Sequence, residues 1–181
     1  MPRLLIALSL VAALALTSSA ADTKYTLTGD NTKVTFVGKK PDGKHTGGFG
    51  KLAGTATVTD GDLAKTKIEV DIDTDSIFAD DAKLATHLKN ADFFDVKNQP
   101  KATFKSTKVE KGEKGYTITG DLTLLGKTKP VTFPATITDK DGKIVVVASF
   151  SIDRTQWGMI YGKGKIDDKV ELGLNVTLVK R

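Results

Sequence analysis

The chain contains no cysteine, two histidines and three arginines in 181 residues. Without cysteine there are no disulfides, thiolate metal sites or thiol nucleophiles. His45 and His87 alone are too few for a multi-histidine metal centre. Of 27 basic residues only Arg3, Arg154 and Arg181 are arginine. A reader of nucleic acid favours the bidentate guanidinium fork, and the twelve aromatics (8 Phe, 3 Tyr, 1 Trp) are few for a base-stacking platform. Nucleic acid is therefore not an expected partner. A lysine excess over 22 acids, net charge +5, reads as a soluble, mutually repelling surface. There is no Walker loop, G-x-S-x-G elbow, His-Glu-x-x-His helix or dinucleotide fingerprint. The run Asp71-Ile-Asp-Thr-Asp75 opens like a calcium loop, but Ser76 and Ala82 stand where that loop needs glycine and an acid. No nucleophile, base and orienting group can be named together, so no enzymatic activity and no cofactor are expected.

What the chain does have begins with an apolar run. Arg3 precedes Leu4–Leu16, and Thr17-Ser-Ser-Ala-Ala21 supplies small residues. Thirteen residues are short for a membrane span, which needs about 17–25. The pattern is that of a secretory signal over residues 1–20, cut after Ala20 or Ala21. No cysteine follows for lipid attachment, so the expectation is a periplasmic or secreted protein with no stable membrane anchor after cleavage, forming one domain over 21–181.

Period-two alternation dominates the remainder. Lys67–Ile72, Tyr116–Leu124, Val131–Thr138 and Val170–Val179 alternate cleanly, and Val34–Lys39, Gly54–Thr59, Thr103–Glu110 and Lys143–Ile152 do so more weakly. Turn clusters such as Asp60-Gly61-Asp62 and Asp139-Lys-Asp-Gly142 separate them. Eight short strands with tight turns predict an antiparallel meander with one apolar face. Periodicity alone does not separate a closed barrel from a sandwich. An eight-stranded barrel either fills with side chains or holds one small ligand. One segment breaks the period: Asp81 to Lys89 predicts a short helix, capped by Asp80 or Asp81, with Leu84 and Leu88 on one face. Phe93-Phe94 follows, an apolar load suited to plugging one barrel end.

The inward set is expected to include Phe36, Phe104, Ile118, Leu122, Phe133, Val146, Phe150 and Leu174. Arg154, within Asp153-Arg-Thr-Gln-Trp-Gly-Met-Ile-Tyr161, has two readings. It forms an ion pair, with Asp153 or a more distant acid, that holds a strand end, or it presents its guanidinium at a barrel mouth to a polar or phosphate head group. Trp157 and Tyr161 suit a rim or the core. His87 either bonds a loop carbonyl or contacts a ligand.

Four stretches together resemble the YceI-like, polyisoprenoid-binding family of exported bacterial proteins. They are Tyr25–Phe36; Asp73-Thr-Asp-Ser-Ile77 with His87-Leu-Lys-Asn-Ala-Asp-Phe-Phe-Asp95; Pro100–Ser106; and Gly120–Val131 with Phe150–Gly158. The chain departs from the family at Leu125, often histidine, and at Ala85-Thr86, often Arg-Asp. The resemblance implies an all-β fold: a closed, antiparallel, eight-stranded, lipocalin-like β-barrel with a helix near one end. It further implies an isoprenoid, an isoprenoid quinone or a similar lipid as the lumenal ligand, and a possible homodimer. The competing expectation is an exported structural protein whose lumen is filled by side chains.

Overall fold

The computed structural model describes residues 21–179, so the expected signal segment lies outside the described residues. Eleven strands and one helix follow in chain order. They are β1 (Asp22–Thr28), β2 (Thr32–Lys40), β3 (Gly43–Phe49), β4 (Leu52–Thr59), β5 (Asp62–Asp73), β6 (Ile77–Ala79), α1 (Ala82–Leu88), β7 (Lys101–Gly112), β8 (Gly115–Leu124), β9 (Lys127–Lys140), β10 (Lys143–Asp153) and β11 (Lys169–Val179). Single 3-10 turns cover Thr74–Ser76 and Arg154–Trp157. All eight strands read from the alternation are present. Hairpin turns at Asp60-Gly61, Leu125-Gly126 and Asp141-Gly142 place both central residues at positive φ, the geometry that matches the twist of the flanking strands.

The strands form one antiparallel sheet in the order β1-β4-β5-β7-β8-β9-β10-β11-β2-β3-β6. It is a curled half-barrel, and the expected closed eight-stranded barrel is corrected on two counts. Three strands lie outside the eight read from the alternation: β1, the glycine-rich β3 and the three-residue β6. In addition, the hydrogen-bonded ladder ends at β1 and β6 among the described residues.

Short covalent links enforce the curl. β1 and β2 stand eight ladder steps apart, about 38 Å across a flat sheet at 4.7–4.9 Å per step. Only Gly29–Asn31 joins them, a reach of at most about 14 Å. Gly50-Lys51 links β3 to β4 across the same gap. The two links touch, because a Cβ on Gly29 would collide with the Gly50 carbonyl oxygen. The inner face carries the core, which includes Leu27, Ala56, Ile72, Ile118, Leu122 and Phe133.

Helix α1 has the predicted extent. Asp81 caps it, its Oδ1 accepting from the Leu84 N–H at 2.7 Å, and Lys89 ends it. Leu88 is buried, and Phe93, just beyond the helix, is buried as well.

Candidate functional site

Two apolar chambers lie inside the curl. The upper one has a volume of about 150 Å³ and is lined by apolar side chains apart from Thr32 and Thr66. Phe104, Ile118, Leu122, Phe133, Val146, Phe150 and Leu174 all line it. Alternation along β7, β8, β9, β10 and β11 turns these residues to one face, as the period-two pattern requires. Three of the rings pack together. Phe133 stacks on Phe150 with centroids 4.1 Å apart and planes 6° apart, and Phe104 tilts against Phe133 at 5.9 Å.

The eighth expected residue, Phe36, lies elsewhere. It lines a lower chamber of about 180 Å³ with Leu84 and Leu88 of α1, Phe93, Phe94, Met159 and Ile166. Ile72, Leu122 and Leu172 line both chambers and so form a waist between them. The Phe36 ring lies where a side chain at Gly47 would sit, so the glycines that hid β3 in the sequence make room for it.

The helix and the two phenylalanines behind it cover the lower chamber. Phe94 meets Phe49 edge-on at 5.5 Å, and Phe49 contacts Phe36 at 6.4 Å. His45 and Asp80 tie this lid to β3: His45 Nδ1 stands 2.9 Å from Asp80 Oδ1, and the Thr46 N–H donates to Asp80 Oδ2 at 2.8 Å. These bonds hold the Asp80 carboxyl below its ordinary value, the Thr46 N–H contributing most and His45 next. His45, Lys39 and Lys40 complete the lower chamber's wall. Composition reasoning missed that rim, although Lys39-Lys-Pro-Asp-Gly-Lys-His45 is legible as a charged hairpin. Lys39 is paired with Glu171, and Lys40 makes no ion pair among the described residues.

Arg154 reaches the lower chamber, but the chain itself engages its donors. The side chain is 5% exposed. Its Nε donates to the Asp167 carbonyl at 3.0 Å, Nη1 to the carbonyls of Met159 at 2.6 Å and Tyr161 at 3.0 Å, and Nη2 to that of Ile166 at 3.3 Å. Nη2 also stands 3.6 Å from Asp168 Oδ1, a buried oxygen with no hydrogen-bond partner. Of the two sequence readings, this geometry is that of the more distant ion pair. Asp153 instead caps the 3-10 turn, accepting from the N–H and hydroxyl of Thr155. The Thr155 hydroxyl is the main cause of the lowered Asp153 carboxyl.

Of the rim and core readings, Trp157 takes the core, and its expected ligand contact is corrected. The ring is 2% exposed, lines neither chamber, and donates its Nε1–H to the Leu122 carbonyl at 3.0 Å. Once the strand turns into the 3-10 helix, its ring is carried inward against the waist. His87 and Tyr161 also line neither chamber. They meet edge-on at 4.8 Å, both touch Phe93, and His87 Nε2 pairs with Asp92 at 2.9 Å. The cluster clips α1 to the 158–168 loop from outside.

A YceI-like domain model matches residues 25–178. The chain belongs to the YceI-like family. It is 38% identical to a UPF0312 protein of Pseudomonas putida (strain W619) over 149 residues, covering 74% of this chain and 77% of that one. It is 40% identical over 140 residues to a UPF0312 protein of Yersinia enterocolitica, with 74% and 73% covered. Among solved structures, Burkholderia cenocepacia BcnA superposes with TM-score 0.74 at 25% identity, over 81% of this chain and 95% of that one. A polyisoprenoid binding domain from Saccharophagus degradans superposes with TM-score 0.68 at 13% identity, over 87% and 98%, a likeness of fold.

Proposed function

We propose that the protein binds one long apolar or amphiphilic chain, a polyisoprenoid, isoprenoid quinone or similar lipid. The chain runs from the lower chamber past the waist into the upper one. The observation that carries this reading is the pair of voids. A core packed to ordinary density leaves few gaps larger than a water molecule. A water site needs about 10–15 Å³, and each chamber is some ten times that. A dry cavity near 150 Å³ is known to accept an apolar guest. Nearly all lining groups here are hydrocarbon, so a polyene tail loses no hydrogen bond on entry and gains about 25 cal/mol for each Å² removed from water. The likeness of fold to the polyisoprenoid binding domain of Saccharophagus degradans supports the same ligand class.

Residues Phe104, Ile118, Leu122, Phe133, Val146, Phe150 and Leu174 contact the tail, and Phe36 contacts the part nearer the lid. Arg154 is a positioning residue that shapes the mouth without touching the head group. Together with the apolar segment at residues 4–16, the reading is a carrier or store outside the cytoplasmic membrane.

Native mass spectrometry of the purified protein tests the proposal. A bound lipid mass, removed by organic extraction and restored by adding a prenyl alcohol, is expected. No bound mass and no uptake of prenyl alcohol or hydrophobic dye would overturn the reading in favour of a side-chain-filled interior.

A further inference from the structure

We propose that the 158–168 loop and the β2–β3 turn form a docking surface for an anionic phospholipid bilayer, with the lower chamber facing the membrane. The loop holds Ile160, which at 63% exposure is the most exposed large apolar residue among those described, beside Tyr161 at 45%. Its neighbour Met159 is 4% exposed. This display is built in. Arg154 Nη1 takes the carbonyls on both sides of Ile160, those of Met159 and Tyr161. With the flanking peptides anchored inward and Met159 occupying the interior, the Ile160 side chain has only solvent. Bonds from Lys163 N–H to the Ile160 carbonyl and from Ile166 N–H to the Gly162 carbonyl tighten the same loop.

The surroundings carry the charge that such a surface needs. The Asp167 N–H donates to the Lys39 carbonyl at 2.9 Å, placing the loop against the β2–β3 turn. Lys40 and Lys44 on the turn and Lys163 and Lys165 on the loop are exposed and make no ion pair among the described residues. The exposed acids beside them are Asp42, Asp167 and Glu171, and Glu171 is taken up by Lys39. Lysines around an exposed apolar tip are the pattern of an interfacial contact with anionic lipid. The contact is peripheral and reversible, and needs no membrane-spanning segment.

Position ties the surface to the chamber. Arg154, Met159 and Ile166, which set the loop, also line the lower chamber, as do Lys39 and Lys40 of the turn. A long apolar tail pays for every Å² exposed when it crosses water. Seating the chamber mouth on the bilayer lets it pass between two apolar phases. This purpose rests on the proposed lipid binding, but docking itself does not require an occupied lumen.

Vesicle flotation tests the surface. The protein is expressed from its full coding sequence and its N terminus read by mass spectrometry, so wild type and variants share whatever N terminus results. Vesicles of phosphatidylcholine alone are compared with vesicles containing phosphatidylglycerol, at low and high salt. Wild type is expected to float with the anionic vesicles and to be released by salt. Ile160→Ser lowers that binding at least tenfold, and Lys163→Gln with Lys165→Gln removes the preference for anionic lipid. Lys114→Gln, in the exposed β7–β8 turn away from the lower chamber, leaves it unchanged. Equal flotation of wild type and Ile160→Ser, or no difference between vesicle types, overturns the proposal. So does a concentration-dependent dimer in sedimentation that Ile160→Ser abolishes while wild type ignores vesicles, which assigns the patch to a second copy. Lipid uptake measured on the same samples separates the two readings. Uptake without flotation sinks only the docking surface, and flotation without uptake sinks only the lumenal ligand.

Discussion

Replacing Arg154 by methionine separates a loop anchor from a head-group contact. The substitution keeps an unbranched apolar stem and deletes the guanidinium. Four backbone carbonyls, those of Met159, Tyr161, Ile166 and Asp167, then lose their donor, and the buried Asp168 Oδ1 loses its counter-charge. A hydrogen bond to a charged donor contributes about 1.5–3 kcal/mol, and removing one member of a buried ion pair costs about 3–5 kcal/mol. The four bonds are not additive, because three of them are only partly buried and their freed carbonyls regain water, while the bond to Met159 is buried. The Asp168 side chain is 42% exposed and resolvates in part. The expected loss is therefore about 3 kcal/mol, near the bottom of the buried-pair range. For a chain of this size that lowers the melting temperature by about 6–12 °C. The single tryptophan, Trp157, is 2% exposed and three residues away, so its fluorescence in a urea titration reports the transition directly. Arg154→Lys keeps the charge but not the fork, and is expected to recover less than half of the loss. Binding of a prenyl phosphate and of a prenyl alcohol of equal length should fall together in Arg154→Met. A stability loss below about 1 kcal/mol, with phosphate binding alone reduced, would refute the anchor and restore the head-group reading.

Leu122→Trp places a large ring at the waist that both chambers share, and is expected to cost about 1–3 kcal/mol and to shorten or abolish the bound chain seen by native mass spectrometry. Full retention of the wild-type ligand would mean that the chain does not pass the waist. Trp157→Phe deletes the donation to the Leu122 carbonyl and leaves a small cavity, so circular dichroism should record a loss of about 1–3 kcal/mol. A loss under about 0.5 kcal/mol would show that this bond does not hold β8. Asp80 gives a pH signature. Its carboxyl binds a proton more weakly in the folded protein than at its ordinary 3.8, so its contribution is present in full above that value and is lost as pH falls through the lower folded value. The stability difference between wild type and Asp80→Asn should shrink from pH 5 to pH 3. A constant difference would remove Asp80 as a lid tether.

Most of the sheet was legible because burial on one face leaves a period-two trace. Each of β5, β8, β9 and β11 carries it over several residues, and so does the face assignment of Ile118, Leu122, Phe133 and Leu174. Helix α1 was legible for a different reason: its cap is a local hydrogen bond, from the Leu84 N–H to Asp81. β3 left no such trace. Its sequence, Gly-Lys-His-Thr-Gly-Gly-Phe, reads as a loop, and only the ring of Phe36 above Gly47 explains why a strand there carries no side chain. β6 is three residues long, too short for any period, and exists because Phe49, Gly48 and Gly47 offer it a ladder. The curl follows from link lengths, which become informative only once strand order is known.

The fate of Arg154 shows where sequence reasoning about a site stops. An isolated arginine beside two aromatics at a strand end is compatible with a head-group contact and with an internal anchor, and the residues alone leave both open. The partners that decide between them are backbone carbonyls, which every residue has and no sequence pattern marks. They converge because Gly158, Gly162 and Gly164 all adopt positive φ and coil the loop around the guanidinium. The same convergence that uses up Arg154 holds Ile160 outward, so the two features are one construction. A cation withdrawn from the surface organises the backbone, and the backbone presents an apolar tip among the lysines. If Arg154→Met frees the loop, vesicle flotation should therefore weaken along with stability even though Ile160 and all four lysines remain. Unchanged flotation in a variant that has lost about 3 kcal/mol would show that the tip needs no anchoring to reach the bilayer.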